Sequence, residues 1–287
     1  MDTIDIIIPT YNRATDSQQI TLRKLPEYLR PHTFLVVRQE QVADYQPIAD
    51  EYGCQIHALP EGSSGIAQAR KQIAEWREGT RYWVVEDDIT FRCVEWTPNP
   101  EKGTPYTESI PATEAQFRTA ITEIHKFMDE GFTFGASHVA NIPPKESGYD
   151  VCSRIWTNVF YSENLPVHDL DWGDSYGIMP EDFHVALQLY KAGHASIILH
   201  KFRSSPTSAT NAPGGCSDYR TMESHNAGQQ HLSDLHPTHV KVYEKIQTAG
   251  PWKNIPKKAL RVQWKKAFQS SGKTLPEVPS WAKGNLS

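Results

Sequence analysis

The chain has 287 residues, 38% of them hydrophobic and 22% charged, and a formal net charge of −5. That length can bury one large α/β core, and the composition is that of a folded chain rather than a disordered one. The acidic balance excludes whole-molecule attraction to nucleic acid, so such a partner would have to meet a local basic patch.

The first ninety or so residues alternate between strand and helix patterns. Ile4–Pro9 is a short apolar run stopped by proline, as a buried strand would be. Gln18–Leu29 has helical character interrupted near Pro26. Phe34–Val37 reads as a second strand, Glu40–Tyr52 as a helix and Gln55–Leu59 as a third strand. Gly65–Trp76 places Ile66, Ala69, Ile73 and Ala74 on one helical face, and Arg81–Val85 is a fourth strand. Repeated β-α units imply a largely parallel sheet with crossover helices, whose ligands bind at the carboxyl ends of the strands. Pro9–Arg13 and Glu86–Asp88 then share one edge.

Beyond this, Val94–Pro111 is polar and proline-rich and reads as an inserted loop. A helix is expected at Thr113–Met128, strands at Phe132–Ser137 and Trp156–Tyr161, and an amphipathic helix opening at Pro180-Glu181-Asp182. Ala195–Leu199 reads as a strand, Phe202–Gly215 as a mobile loop and Tyr219–Leu232 as a helix, followed by a basic tail. The expected division is a core over 1–200 and an acceptor-binding C-terminal part of the same domain over 201–287. Four cysteines lie far apart, with no C-x-x-C pair, which disfavours a structural zinc site. Acids near Met1 do not suit a signal peptide, and no apolar run approaches membrane-spanning length. A cytoplasmic protein is the expectation.

The residues that could carry chemistry cluster at strand ends. In Thr10-Tyr11-Asn12-Arg13 an aromatic can stack on a base, an amide can meet its edge and a cation can meet phosphate; a plain turn is the alternative. No G-x-G-x-x-G or Walker loop is present. Glu86-Asp87-Asp88 leaves a buried strand, where three adjacent acids repel unless solvated or neutralised by a cation. Alternation in an extended chain lets Glu86 and Asp88 face one cleft, and their hard oxygens suit Mg²⁺ or Mn²⁺ completed by diphosphate. Arg70, early in the helix that Gly65 opens, can add a charge-assisted bond to phosphate or can simply be a surface cation. Glu181 and Asp182 gain from the helix dipole, and one of them can act as general base. Among the histidines, His200 and His225 are the candidates for a metal shell; a structural role is the alternative. From Trp252 to Lys266 the chain has six cations, no acid and two tryptophans, which suits either a nucleic-acid backbone or a solvated helix face.

In order, these pieces resemble the GT-A fold of nucleotide-sugar glycosyltransferases. Ile6–Arg13 is similar to the opening of family-2 enzymes. Gln19-Ile20-Thr21-Leu22 with Leu25-Pro26, Gly65–Arg70, Glu181-Asp182-Phe183 with Leu187-Gln188-Leu189 and Gly193, and Gly214-Gly215-Cys216 with Tyr219-Arg220 resemble the phage TET-associated glycosyltransferases. The resemblance spans about residues 4–240. That group is related to the base-J glucosyltransferase and adds sugars to 5-hydroxymethyl pyrimidines in DNA.

The resemblance implies an α/β GT-A fold with a mixed, mainly parallel sheet flanked by helices. It implies a hexosyltransferase-type enzyme with a nucleotide-diphosphate sugar donor, UDP-linked by preference, and a divalent cation, Mn²⁺ or Mg²⁺. The acceptor is DNA carrying a hydroxymethylated pyrimidine, 5-hydroxymethylcytosine before hydroxymethyluracil. Donor binding is assigned to Thr10, Tyr11, Asn12, Arg13, Glu40, Arg70, Glu86 and Asp87. Metal binding is assigned to Asp88, with Glu86, His200 and His225. Asp182 is the catalytic base of a direct inverting displacement, with Glu181 beside it, and retention remains open. The acceptor side is assigned to Trp172, Gly214, Gly215, Tyr219, Arg220, Lys257, Lys258 and Arg261. One departure stands out: the group carries three aspartates where this chain has Glu86-Asp87-Asp88, which favours Asp88 as the direct ligand. The alternatives are a glycosyltransferase with a glycan or other non-DNA acceptor, and a non-catalytic DNA-binding protein. A sugar nucleotidyltransferase lacks support, because no glycine-rich loop follows the first strand.

Overall fold

A computed structural model describes residues 3–94, 110–145, 148–155, 158–173, 180–206, 215, 220–248 and 252–283. In chain order its elements are β1 (Asp5–Pro9), α1 (Ile20–Lys24), β2 (Thr33–Arg38), α2 (Val42–Tyr52), β3 (Gln55–Leu59), α3 (Ile66–Trp76), β4 (Tyr82–Val85) and β5 (Ile89–Cys93). There follow β6 (Ile110–Pro111), α4 (Glu114–Asp129), β7 (Phe134–Val139), β8 (Tyr149–Val151), β9 (Asn158–Tyr161), α5 (Glu181–Lys191) and β10 (Ser196–Pro206). Last come α6 (Met222–Leu235), β11 (Val240–Ile246), β12 (Pro256–Val262), α7 (Trp264–Gln269) and α8 (Ser280–Lys283).

The main sheet runs β3-β2-β1-β4-β9-β7-β10-β5-β6, with β8 also on β10. The β3-β2-β1-β4 half is parallel. Beyond it the sheet is mixed: β9 is antiparallel to both β4 and β7, β7 and β10 are parallel, and β5 runs antiparallel to β10. The parallel half is what the β-α alternation led one to expect, and the mixed sheet flanked by helices agrees with the GT-A fold that the resemblance implied. The parallel strands read as unbroken apolar runs because both faces are covered; Ile6, Ile7, Ile8, Trp83 and Val85 are fully buried. Gly135 on β7 is required by packing, since a Cβ there would lie 2.1 Å from the Ile197 carbonyl oxygen.

Several elements differ in extent from the sequence expectation. The helix over Gln18–Leu29 is a single turn, α1, followed by a 3₁₀ stretch at Glu27–His32, because extended Pro26 cannot continue it. Phe202–Pro206, expected to begin a loop, completes β10, where pairing with β5 satisfies its backbone. Residues 207–214 lie outside the described residues, as do 95–109 of the expected insert. The division at residue 200 falls inside β10. The basic segment after Trp252 is neither tail nor simple helix: it forms β12, paired with an unanticipated β11, and then α7. No helix among the described residues is long and apolar enough to cross a membrane.

Candidate active site

The acidic turn after β4 is held from three sides. Thr21, at the start of α1, donates its backbone N–H to the Asp87 carbonyl at 3.0 Å, and its hydroxyl lies 2.5 Å from the Glu86 carbonyl. The Ile89 N–H returns a bond to that hydroxyl at 3.0 Å. From β1, the Thr10 hydroxyl donates to Asp87 Oδ2 at 2.6 Å, and the Arg13 guanidinium forms a close ion pair with Asp87 Oδ1. Gln19 Nε2 braces this loop by donating to Thr10 Oγ1 at 2.9 Å and to the Arg13 carbonyl at 2.8 Å. Tyr45 closes the network, its hydroxyl accepting from the Arg13 N–H at 2.8 Å. Sequence order therefore does bring the loop after β1 and the acids after β4 together.

Period-two alternation sorts the three acids. Asp87 points inward and is 6% exposed, whereas the Glu86 and Asp88 side chains keep 41% and 24% of their surface. Burial pushes the Asp87 carboxyl up, against the pull of Arg13 and Thr10. Arg13 is opposed by the same burial, yet Asp87 and Asp88 hold it above its usual range. Arginine does not lose its proton in proteins, and the contacts are close, so the ionised pair is the relevant state. Glu86 is surrounded by protein on one side and open to water on the other. Desolvation pushes its carboxyl up to about 8; Arg70 opposes this, and Asp88, Asp182 and Asp87 add to it. Water reaches this side chain and screens part of the effect.

Arg70 links the acidic turn to the opposite wall. It projects from α3, which Gly65 opens with φ of 77°. Its Nη1 meets Glu181 Oε1 at 2.8 Å and its Nη2 lies 3.7 Å from Glu86 Oε1. Glu181 and Asp182 form the first turn of α5, where the helix dipole favours acids. Burial pushes the Glu181 carboxyl up, with Arg70 pulling it down and Asp182 adding to the rise. Asp182 and Arg70 line a cavity with Asn158, Tyr161 and Trp172. Trp172 is buried, donates to the Val167 carbonyl at 3.1 Å, and is held beside α5 because Gln188 clasps Asp171 from both its amide atoms.

Other assigned residues fall in different places. Tyr11 lies under the Arg38 guanidinium at 4.0 Å, and Asn12, at φ 54°, accepts from Gln41 Nε2 at 2.5 Å. Glu40 is exposed and lies 3.8 Å from Arg38. Gly215 packs on Arg13, donating its N–H to the Tyr11 carbonyl at 3.0 Å. Gly214 and Tyr219 lie outside the described residues. Arg220 is close enough to act on Glu181, His225 and Lys257. His200 is not brought to Asp88. It is buried on β10, stacked on His138 at 4.2 Å, six residues before Pro206, which pairs with Ile89. Burial, then His138, hold it down to about 3. His225 Nε2 lies 3.1 Å from the Lys258 carbonyl, committed to the β12 edge. Among the described residues no group of three His, Cys, Asp or Glu side chains is placed to hold a metal ion. Lys257 and Arg261 lie on one face of β12 and Lys258 on the other, its Nζ on Gln230 of α6 at 2.9 Å.

Two residues absent from the sequence assignment belong here. Arg38, which ends β2, sits over Tyr11 at the carboxyl edge of the parallel strands. Arg154 packs 4.7 Å from the Phe183 ring; burial lowers its proton affinity while Asp182 raises it. Arg38 had a usable signal, a cation directly after a buried strand. Arg154 had none, because its neighbourhood is made by tertiary packing.

The sequence profile of the TET-Associated Glycosyltransferase family matches residues 4–215. The beta-glucosyl-HMC-alpha-glucosyl-transferase of Enterobacteria phage T6 is 27% identical over 82% of this chain and 81% of its own. The enzyme of the same name from Enterobacteria phage T2 is 26% identical over the same shares. Solved structures align more loosely. A mycobacterial protein matches at 10% identity over 93% of this chain and 88% of its own, with a TM-score of 0.47. An inositol-1-phosphate CTP transferase from T. maritima matches at 10% identity over 82% and 97%, with a TM-score of 0.40. The chain belongs to the TET-associated glycosyltransferase family and is a glycosyltransferase.

Proposed function

We propose that this enzyme moves a sugar from a nucleotide-diphosphate sugar to a modified pyrimidine in DNA, either a 5-hydroxymethylcytosine or the sugar already carried by one. The observation that carries the reading is Arg70, which lies 3.7 Å from Glu86 and 2.8 Å from Glu181 and shares a cavity with Asp182, so that Glu86 with its neighbour Asp88 falls on one side of it and Glu181 with Asp182 on the other. The first pair suits a departing diphosphate and the second an acceptor hydroxyl. The phage relatives, named for glucosyl transfer to glucosylated hydroxymethylcytosine, support the acceptor class.

In this reading the donor base rests at the Tyr11–Arg38 stack, with Asn12 and Glu40 nearby. Thr10, Arg13 and Asp87 form the frame beneath it. The cleft's negative charge suits a divalent cation: Glu86 and Asp88 are two accessible carboxylates, and Mg²⁺-type ions use one or two of these plus substrate phosphates. Asp88 and Glu86 would hold the ion, which supplies charge neutralisation to the leaving diphosphate. His200 has no part in this shell, nor does His225. Arg70 contributes fixed positive charge where the leaving group develops its own. Trp172 and Tyr161 wall the cavity and limit water.

Two stereochemical courses use the same residues. In direct inversion Asp182 accepts the acceptor's proton, a role worth about 10²–10⁴-fold in rate. The relatives' names specify an α linkage. From an α-linked donor that outcome is retention, and Asp182 then faces the positively charged sugar carbon. The test is incubation of hydroxymethylated and β-glucosylated hydroxymethylated DNA with a panel of nucleotide sugars, followed by nucleoside mass spectrometry and anomeric assignment. Transfer to neither DNA, with transfer to a free glycan, would overturn the reading.

A further inference from the structure

The β11–β12 hairpin has one face on which four of six positions are cations. In the antiparallel register Lys241 lies opposite Arg261, Tyr243 opposite Ala259, and Lys245 opposite Lys257. Alternation puts these six on one side. The other side carries Val242, Leu260 and Lys258 and packs on α6, where Asn226 and Gln230 engage Lys258. Lys241, Lys245, Arg261 and Tyr243 are exposed, Tyr243 by 44%. Trp252 adds a second aromatic beside Lys257, and Arg261 lies 5.9 Å from the Tyr243 ring.

This arrangement is costly to the fold alone. Like charges directly opposite on an antiparallel pair repel. Here two such pairs occur within five positions, in a chain whose net charge is −5. Among the described residues, none of the four cations has an ion-pair partner, and Glu244, the hairpin's acid, lies on the opposite side with Lys258. Lys241 to Lys245 spans about 14 Å of strand, a length over which duplex DNA presents roughly eight phosphate charges.

We infer that the outward face of this hairpin, Lys241, Lys245, Lys257 and Arg261 around Tyr243, grips the phosphate backbone of duplex DNA outside the reacting nucleotide. It raises affinity for long DNA without sequence preference and without touching the sugar-transfer chemistry. This rests on DNA being the acceptor carrier. The segment around Trp252 contributes only half of the grip; the other half comes from β11.

The test is the full-length enzyme carrying K241Q, K245Q, K257Q and R261Q together. The readouts are salt-dependent binding of long hydroxymethylated duplex, KM and kcat on that duplex, nucleotide-sugar binding and thermal unfolding. Four lost phosphate contacts reduce the slope of log K against log salt by about 3.6, so between 50 and 200 mM salt the variant loses about 150-fold less affinity than wild type. KM for the duplex should rise, with kcat and nucleotide-sugar binding unchanged. The melting temperature should hold or increase, because like-charge pairs are removed. A control with Lys71→Gln and Lys126→Gln should leave the slope unaltered. If wild type modifies DNA but the fourfold variant keeps its slope and KM, the hairpin assignment fails alone. If wild type neither binds nor modifies DNA and glycosylates another acceptor, the DNA reading fails with it.

Discussion

Replacing Asp87 by Asn should damage the fold, whereas replacing its neighbour Asp88 by Asn should damage the chemistry. Asp87 is 6% exposed and joins Thr10 and Arg13, which are themselves 7% exposed. Removing one partner of a buried ion pair costs about 3–5 kcal/mol. The lower end applies here. Asp88 Oδ2 stays 3.5 Å from the same Arg13 nitrogen, and an amide oxygen still accepts the Thr10 hydroxyl. At roughly 2 cal/mol/K of unfolding entropy per residue, ~3 kcal/mol lowers the melting temperature of this 287-residue chain by about 5 °C. Asp88 is 24% exposed on its side chain and adds to the charge felt by Glu86. Asp88→Asn should therefore leave melting within about 1 °C, or raise it, as expected away from buried pairs. It should also abolish cation-assisted uptake of nucleotide sugar. Thermal unfolding of both variants, paired with calorimetry of UDP-sugar binding with and without Mn²⁺, reads both halves. Equal melting losses for the two, or cation-assisted binding retained by Asp88→Asn, would refute the sorting of these acids.

Three further outcomes follow from the geometry. Asp182→Asn should lower transfer by about 10²–10⁴-fold, with nucleotide-sugar affinity nearly unchanged in calorimetry; an affinity loss of the same size would place Asp182 on the donor instead. Arg70→Lys keeps the charge but not the fork that reaches both Glu181 and Glu86, so donor turnover should fall while the melting temperature falls less than in Arg70→Ala, which strands the buried Glu181 carboxylate. Acid should destabilise the enzyme through its buried histidines. His236 and His200 are held at about 4 and about 3, chiefly by burial, against about 6.5 unfolded. Their contribution is fully present above pH 6.5. It declines as pH falls, by up to about 1.4 kcal/mol per pH unit for each, until the folded values are passed. Glu86, raised in the folded state, acts in the opposite sense above about pH 4.5, and weakly because water reaches it. Denaturant titrations from pH 7.5 to 4.5 should show His236→Gln flattening this limb by about one proton; an unchanged slope would show that His236 does not titrate there.

What was legible in the chain depended on whether one element carried the signal. Buried parallel strands announce themselves as apolar runs, and β3 is read to the residue as Gln55–Leu59. The acids after β4 and the first turn of α5 are legible because charge at the end of an apolar segment is costly unless used. Pairings made across the sheet were not legible. The Gln19-Ile20-Thr21 pattern could be seen to resemble a family, but its work, clamping the acidic turn through Thr21 and the Thr10 loop through Gln19, exists only after α1 docks. His200 was mistaken for a candidate ligand because a histidine near a strand end looks the same whether it faces a cleft or stacks on His138. Val240–Ile246 does alternate in period two and could have been read as a strand. Its charged positions disguised it, because the hairpin's outer face is itself charged.

The charge pattern also accounts for how the two halves of the cleft can act in concert. Glu86 and Glu181 are far apart in sequence and would repel, yet one guanidinium serves both. Arg70 is held above its usual range by Glu181, Asp182 and Glu86 despite burial, so it stays charged whatever binds. A nucleotide diphosphate arriving at the Glu86 side competes for that fixed charge. Any share it takes weakens the hold on Glu181 and lifts the proton affinity of that carboxyl, which Arg70 otherwise pulls down. On the proposed reading, donor binding would be felt on the acceptor side through this one residue. In Arg70→Lys the single ammonium cannot face both carboxylates, so the shift of the acid limb of the transfer-rate profile on saturation with donor should disappear. A donor-dependent shift that survives in Arg70→Lys would assign the coupling to another route.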